Sequence, residues 1–163
     1  MSSADTIDAL NRVIEILERS FPQYMRWARP YIPPARANIM QTIETIVVGQ
    51  NALTARIAEQ IFESGGLADH GDFPIEFADT HDLDIDYLID ESLDCLKQDI
   101  SELEGCVDNL RLSPAAQTLA SEALGLTKGH LELLEKLDTA PADGTKLTAT
   151  PAFSNDQPGP SGA

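Results

Sequence analysis

Apolar residues return every three or four positions over long stretches of this 163-residue chain, and that rhythm commits it to helices rather than strands. Ile39, Ile43, Ile46, Gln50, Leu53, Ile57 and Ile61 fall on one helical face. Leu119, Ala123, Leu126, His130, Leu133 and Leu137 form a second stripe, and Ile85, Ile89, Leu93, Leu96, Ile100, Leu103, Val107 and Leu110 a third. A shorter one reads Ile7, Leu10, Ile14 and Leu17. Two polar side chains, Gln50 and His130, interrupt stripes that would otherwise hold only core residues. A buried polar group costs free energy unless it is paired, so each requires a partner, a water or a ligand.

The breaks between stripes divide the chain. Ser20-Phe21-Pro22 suits a fresh helix start, with Ser20 as cap and Pro22 in the first turn, so the first helix is kinked or split in two. Pro30-Tyr31-Ile32-Pro33-Pro34 makes a turn, and a second long helix runs from about Ala35 to Glu63, stopping at Ser64-Gly65-Gly66. Residues 65–81 have no sustained period and form a connection of seventeen residues. Fully extended it spans ~55 Å, enough to run the ~45 Å length of the preceding helix and begin the next at its far end. The third long helix starts near Asp82, capped by that side chain or by Thr80, and Arg111-Leu112-Ser113-Pro114 turns the chain into the last. Short connections inside each helix pair and a long one between them give an all-α, four-helix bundle wired up-down-down-up. The bundle covers residues 1–138. Residues 139–163, rich in Pro, Gly, Ala, Thr and Ser, read as a disordered tail.

Charge narrows the partners. The net charge is −16, and between Asp69 and Asp108 fourteen acidic residues face one basic residue, Lys97. Positive charge before Ala58 comes from Arg12, Arg19, Arg26, Arg29, Arg36 and Arg56. Such a field repels nucleic acid and anionic lipid, which bind through neutralised phosphates. No apolar run is long enough to cross a bilayer and the N-terminus lacks the order of a signal peptide, so we expect a soluble, cytoplasmic protein. Cys95 and Cys106, eleven residues apart in one helix, stand ~16 Å from each other and cannot bond together, in keeping with a reduced compartment.

With this wiring, and polar residues facing inward on the second and last long helices, the chain resembles the ferritin-like superfamily. That resemblance implies a di-iron or di-manganese centre built from one Glu on each of two helices and a Glu-x-x-His pair on each of the others. Carried onto this sequence, one pair falls on Gln50-Asn51-Ala52-Leu53 and the other on Thr127-Lys128-Gly129-His130. His130 alone matches a ligand type; Gln50, Leu53 and Thr127 replace a carboxylate, an imidazole and a carboxylate. The third long helix offers only Ser92 and Asp99 beside its stripe, and the first only Glu18. Losing most of about six ligands should abolish tight binding.

The candidate metal donors are therefore His130 and Gln50, with a structural reading beside them: an imidazole and an amide that fix helix register, bonded to each other. An alternative loop site gathers His70, Asp72 and His81 in the connection, where Phe73, Ile75 and Phe77 would pin the loop to the bundle. Gly125 and Gly129, four apart, would let another helix approach closely. Arg26-Trp27-Ala28-Arg29 can stack on or clamp an anion, but the expected role of its arginines is to pair with carboxylates of residues 69–108. No phosphate loop, Gly-x-Ser-x-Gly elbow or Cys-x-x-Cys is present. The sequence thus favours a non-catalytic, cofactor-free bundle that associates with itself, as a homodimer, or with another protein. The alternative is a metalloprotein of ferritin or rubrerythrin type, handling iron or peroxide with an atypical ligand set.

Overall fold

Ser2 and Asp5 start the first helix with a reciprocal capping box, the Ser2 hydroxyl accepting from the Asp5 N–H and the Asp5 carboxylate from the Ser2 N–H. The structure, a computed structural model, describes residues 2–80 and 83–139. These form five α-helices: α1 (Ser3–Glu18), α2 (Phe21–Ala28), α3 (Asn38–Glu63), α4 (Ile85–Asn109) and α5 (Pro114–Thr139). The fold is all-α, with no strand among the described residues. The segment read as a disordered tail lies outside them from residue 140 onward.

The first helix is split as expected, with Arg19 and Ser20 between its halves. Two boundaries move. A 3-10 turn at Pro34–Arg36 takes the residues expected to open α3, because proline supplies a fixed φ but no N–H to a helix. The cap of α4 is Asp84, whose carboxylate accepts from the Asp86 N–H at 3.1 Å. Asp82 lies outside the described residues, as does the side chain of Thr80. A second 3-10 turn, Ile75–Thr80, breaks up the connection between α3 and α4.

α3 and α4 each pack along both α1 and α5, and α2 lies on α3 and α4. The apolar interior has two parts. One joins Leu10, Val13 and Leu17 of α1 to Leu53, Ile57 and Ile61 of α3, Leu103 and Leu110 of α4, and Ala116 and Ala120 of α5. The other joins Phe21 and Met25 of α2 to Ile39, Ile43 and Ile46 of α3, Ile85, Ile89 and Leu96 of α4, and Leu134 and Leu137 of α5. Each of the larger of these side chains, from valine to phenylalanine, contributes about 1.5–3 kcal/mol when removed from water. The connection from α3 therefore carries the chain back, so that α4 begins beside α2 and the start of α3.

The α3 stripe is buried at every position read from the sequence, Gln50 included. On α5 the expected Leu119, Ala123, His130 and Leu137 face inward, joined by Ala116, Ala120, Thr127 and Leu134, while Leu126 and Leu133 are only half-buried. Leucines flank this helix on both sides, so its inner line is settled by packing against α3 and α4 together. On α4, Ser92 and Cys106 are buried where Ile100 and Val107 are half-buried.

Candidate functional site

Between the two apolar clusters the α1–α2 turn and the helices α3 and α5 present polar residues at the same level. Ser20 follows Leu17, Gln50 lies between Val47 and Leu53, and Thr127 and His130 lie between Ala123 and Leu134. The Ser20 hydroxyl makes no capping bond; it donates to Gln50 Oε1 at 3.1 Å in the interior. Ser20 is thus the partner that Gln50 needs. The bond expected between Gln50 and His130 is not formed, because the imidazole instead lies against the α3 backbone, where a Cβ at Gly49 would stand 3.3 Å from His130 Nε2. Its Nδ1 is buried without a hydrogen-bond partner. Burial pushes the His130 pKa down to about 4, so the ring is neutral at physiological pH.

This donor set does not fit a pair of metal ions. Thr127 spends its hydroxyl on the Ala123 carbonyl at 2.8 Å, Thr54 on the Gln50 carbonyl at 2.8 Å, and Ser92 meets Met25 Sδ at 3.2 Å. Glu18 turns outward to His70, 2.6 Å from its Nδ1. One imidazole remains, with no carboxylate beside it in the polar layer, and hard ions need several anionic oxygens. Among the described residues no three His, Cys, Asp or Glu side chains converge as metal ligands.

The loop candidates are likewise not brought together. His70 is engaged with Glu18, Asp72 is exposed, and His81 lies outside the described residues. The connection is fastened to α1 instead. Asn11 donates to the Leu67 carbonyl and accepts from the Asp69 N–H, at 3.2 and 2.7 Å. Gly71 sits on the Arg19 guanidinium so closely that a Cβ there would stand 1.7 Å from Nη2. Phe73 and Phe77 then anchor the segment, Phe77 edge-on to Phe21 at 4.9 Å and Phe73 edge-on to Tyr24 at 5.4 Å. Ile75, expected as a third anchor, is 83% exposed.

A cleft of about 460 Å³ opens between α1 and α4 under this connection. Glu91, Cys95, Asp99 and Glu102 line one wall at helical spacing, facing Arg12, Glu15 and Arg19. Arg12 pairs with Glu102 and with Glu15. Desolvation, reinforced by Glu102 and partly offset by Arg12, pushes the Asp99 carboxyl up to about 7. Burial and then the neighbouring carboxylates, Glu91 first, push the Cys95 thiol up to about 12, so it is no nucleophile. Both cysteines are free.

A second concave feature is a groove of about 810 Å³ where α2 meets α3, lined by Gln23, Arg26, Trp27, Arg29, Met40, Glu44 and Phe73. Trp27 is 70% exposed, held by ring contacts of 5.8 Å to Tyr24 and 6.1 Å to Phe73. Arg26 pairs with Glu44 of α3 at 2.9 Å, and Arg29 has no carboxylate partner among the described residues. Among the described residues, the expected pairing of these two arginines with carboxylates of residues 69–108 is therefore not made. Arg12 and Arg36 take that role, with Glu102 and Asp86.

Sequence reasoning passed over Ser20 as a core donor, Gly49 as the seat of the imidazole, and the convergence of Phe73 and Met40 on Trp27. The only signals were a glycine next to Gln50 and a helix cap immediately before an aromatic run. Gly125 and Gly129 do not mediate close approach: a Cβ at either would meet nothing within 4 Å. No protein-family model, curated protein or solved structure matches the chain. No helix among the described residues is long and apolar enough to cross a membrane.

Proposed function

We propose that this chain is a non-catalytic bundle of ferritin-like wiring that works by binding another protein. The course of the four long helices supports the wiring: α1 with α2 in one direction, α3 and α4 opposed to it, α5 returning. The interior supports a role without metal, since its polar layer is built for hydrogen bonding and for seating one neutral imidazole. The observation that carries the association reading is the Trp27 face. An aromatic ring left 70% exposed, stiffened from behind by Tyr24 and Phe73 and set beside a groove, has the makeup of an interface anchor.

The test is a photo-reactive amino acid placed at Gln23, on the rim of that groove, with a second at Lys128 on the exposed side of α5 as control. Irradiation in cells should give discrete adducts from position 23 and none from 128, and Trp27→Ser should abolish them. Absence of adducts at 23 counts against the reading. The rival metalloprotein reading rests on the unpartnered Nδ1 of His130. It is separated by metal content after growth with added iron and manganese: a stoichiometric ion lost in His130→Ala would replace the association reading.

A further inference from the structure

We propose that the groove beside Trp27 takes a short peptide segment of a partner protein in which a bulky apolar side chain stands next to a single carboxylate. The proposal rests on the association reading and specifies its chemistry. The apolar half of the recognition is the wall made by Trp27, Met40 and Phe73, which leaves the indole mostly in water when the groove is empty. Covering that surface releases its hydration, the usual source of a hot spot.

The charged half is Arg29. It closes α2 in the left-handed region, φ 53° and ψ 62°, with its N–H bonded to the Met25 carbonyl. Glycine normally fills that position because a Cβ there costs about 1 kcal/mol. Arginine at a glycine position fixes the root of its side chain at the lip of the groove. Arg12, Arg26, Arg36 and Arg56 each have a carboxylate partner, Glu102, Glu44, Asp86 and Glu122, and Arg29 has none among the described residues. A guanidinium recognises a carboxylate through two parallel N–H donors.

The net charge of −16 selects among carriers of that carboxylate. Nucleic acid, anionic membrane and a second copy of this chain each bring many negative charges into the same field and are repelled. A peptide segment of low net charge meets the local arginine without that penalty.

Trp27 is the only tryptophan in the chain, so its emission reports occupancy of the groove directly. A display library of random short peptides is selected on the full chain, and the enriched peptides are synthesised and titrated while Trp27 emission is followed. Enriched sequences should pair Asp or Glu with Leu, Ile, Met or an aromatic residue, and binding should shift the emission to the blue. Arg29→Gly, which relaxes the left-handed backbone and so leaves the fold intact, should weaken binding at least about tenfold. Changing the peptide carboxylate to its amide should do the same, and the two changes together should cost no more than either alone.

Enrichment of Lys or Arg, no enrichment at all, unshifted emission, or full affinity in Arg29→Gly would each overturn the proposal. So would emission that moves to the red when residues 140–163 are removed, or on dilution, since the groove would then hold the chain's own C-terminal segment or a second copy. Should Arg29→Gly leave crosslinking at position 23 intact while Trp27→Ser abolishes it, the carboxylate chemistry fails and the association reading stands. Peptide binding without crosslinks in cells would have the opposite meaning.

Discussion

The pKa values of His130 and Asp99 are shifted in opposite directions, and as pH falls from 7 to 5 their contributions to stability nearly cancel. His130 is held neutral, its pKa lowered from 6.5 to about 4, so the unfolded chain binds its proton more readily and stability from this residue falls as pH drops below 6.5. Between pH 7 and pH 5 the loss is about 2 kcal/mol. Asp99 is raised from 3.8 to about 7, so the folded chain binds its proton more readily and stability from it grows as pH falls through 7 toward 4. Single variants should expose each half. Chemical denaturation of Asp99→Asn at pH 7 and pH 5 should show stability lost on acidification, and His130→Leu should show the reverse. His130→Leu should also cost little at pH 7, since it removes a buried nitrogen with no partner. Equal pH dependence in the two variants would contradict the assignment of either shift. Gln50 and His130 were legible as interior polar residues because each broke an apolar stripe. Their surroundings were not, since Ser20 lies thirty positions from Gln50 and reads locally as a cap.

The elements differ in how far sequence determined them. α3 is legible residue by residue, because isoleucines mark one face and polar residues the other. α5 carries leucine on several sides, and only its neighbours decide that Ala116, Ala120 and Thr127 face inward. The two glycines of α5 show the consequence. Both are exposed, and a methyl group at either meets nothing within 4 Å. Gly125→Ala and Gly129→Ala should each raise stability by about 1 kcal/mol through helix propensity and lower backbone entropy in the unfolded chain. Thermal unfolding followed by circular dichroism checks this, and a fall in melting temperature would restore the close-packing role for these positions. Gly49→Ala should gain less than either, because the new Cβ presses on the His130 ring at 3.3 Å and offsets the gain in helix propensity. The turn between α1 and α2 was legible from Ser20-Phe21-Pro22, while the cap of α4 was misplaced because several aspartates near its start are equivalent as sequence.

For the whole molecule, net charge opposes the compact state. Exposed pairs such as Arg56 with Glu122 contribute little in water, and salt weakens them slightly. A net charge of −16 on a chain of 163 residues repels itself over longer distances. Raising salt from about 0.01 M to about 0.15 M shortens the screening length from ~30 to ~8 Å, so the repulsive term wins. The melting temperature should rise over that range, and a fall would mean that the arginine pairs outweigh the repulsion. Fold class was open to reading from periodicity alone, and so was the reach of the connection from α3 to α4. Its attachment was not, because Arg19, Gly71 and Phe73 meet only after the helices have assembled.

That attachment bears on what the peptide link itself contributes. Residues 67–77 are fastened to α1 and α2 by hydrogen bonds from Asn11, by Glu18 beside His70 and by ring contacts, and both apolar clusters draw on helices from either side. Scission after Asp72 should accordingly leave two fragments that copurify and refold together when mixed. If they drift apart on a sizing column, covalent continuity through the strap is what keeps the halves in register.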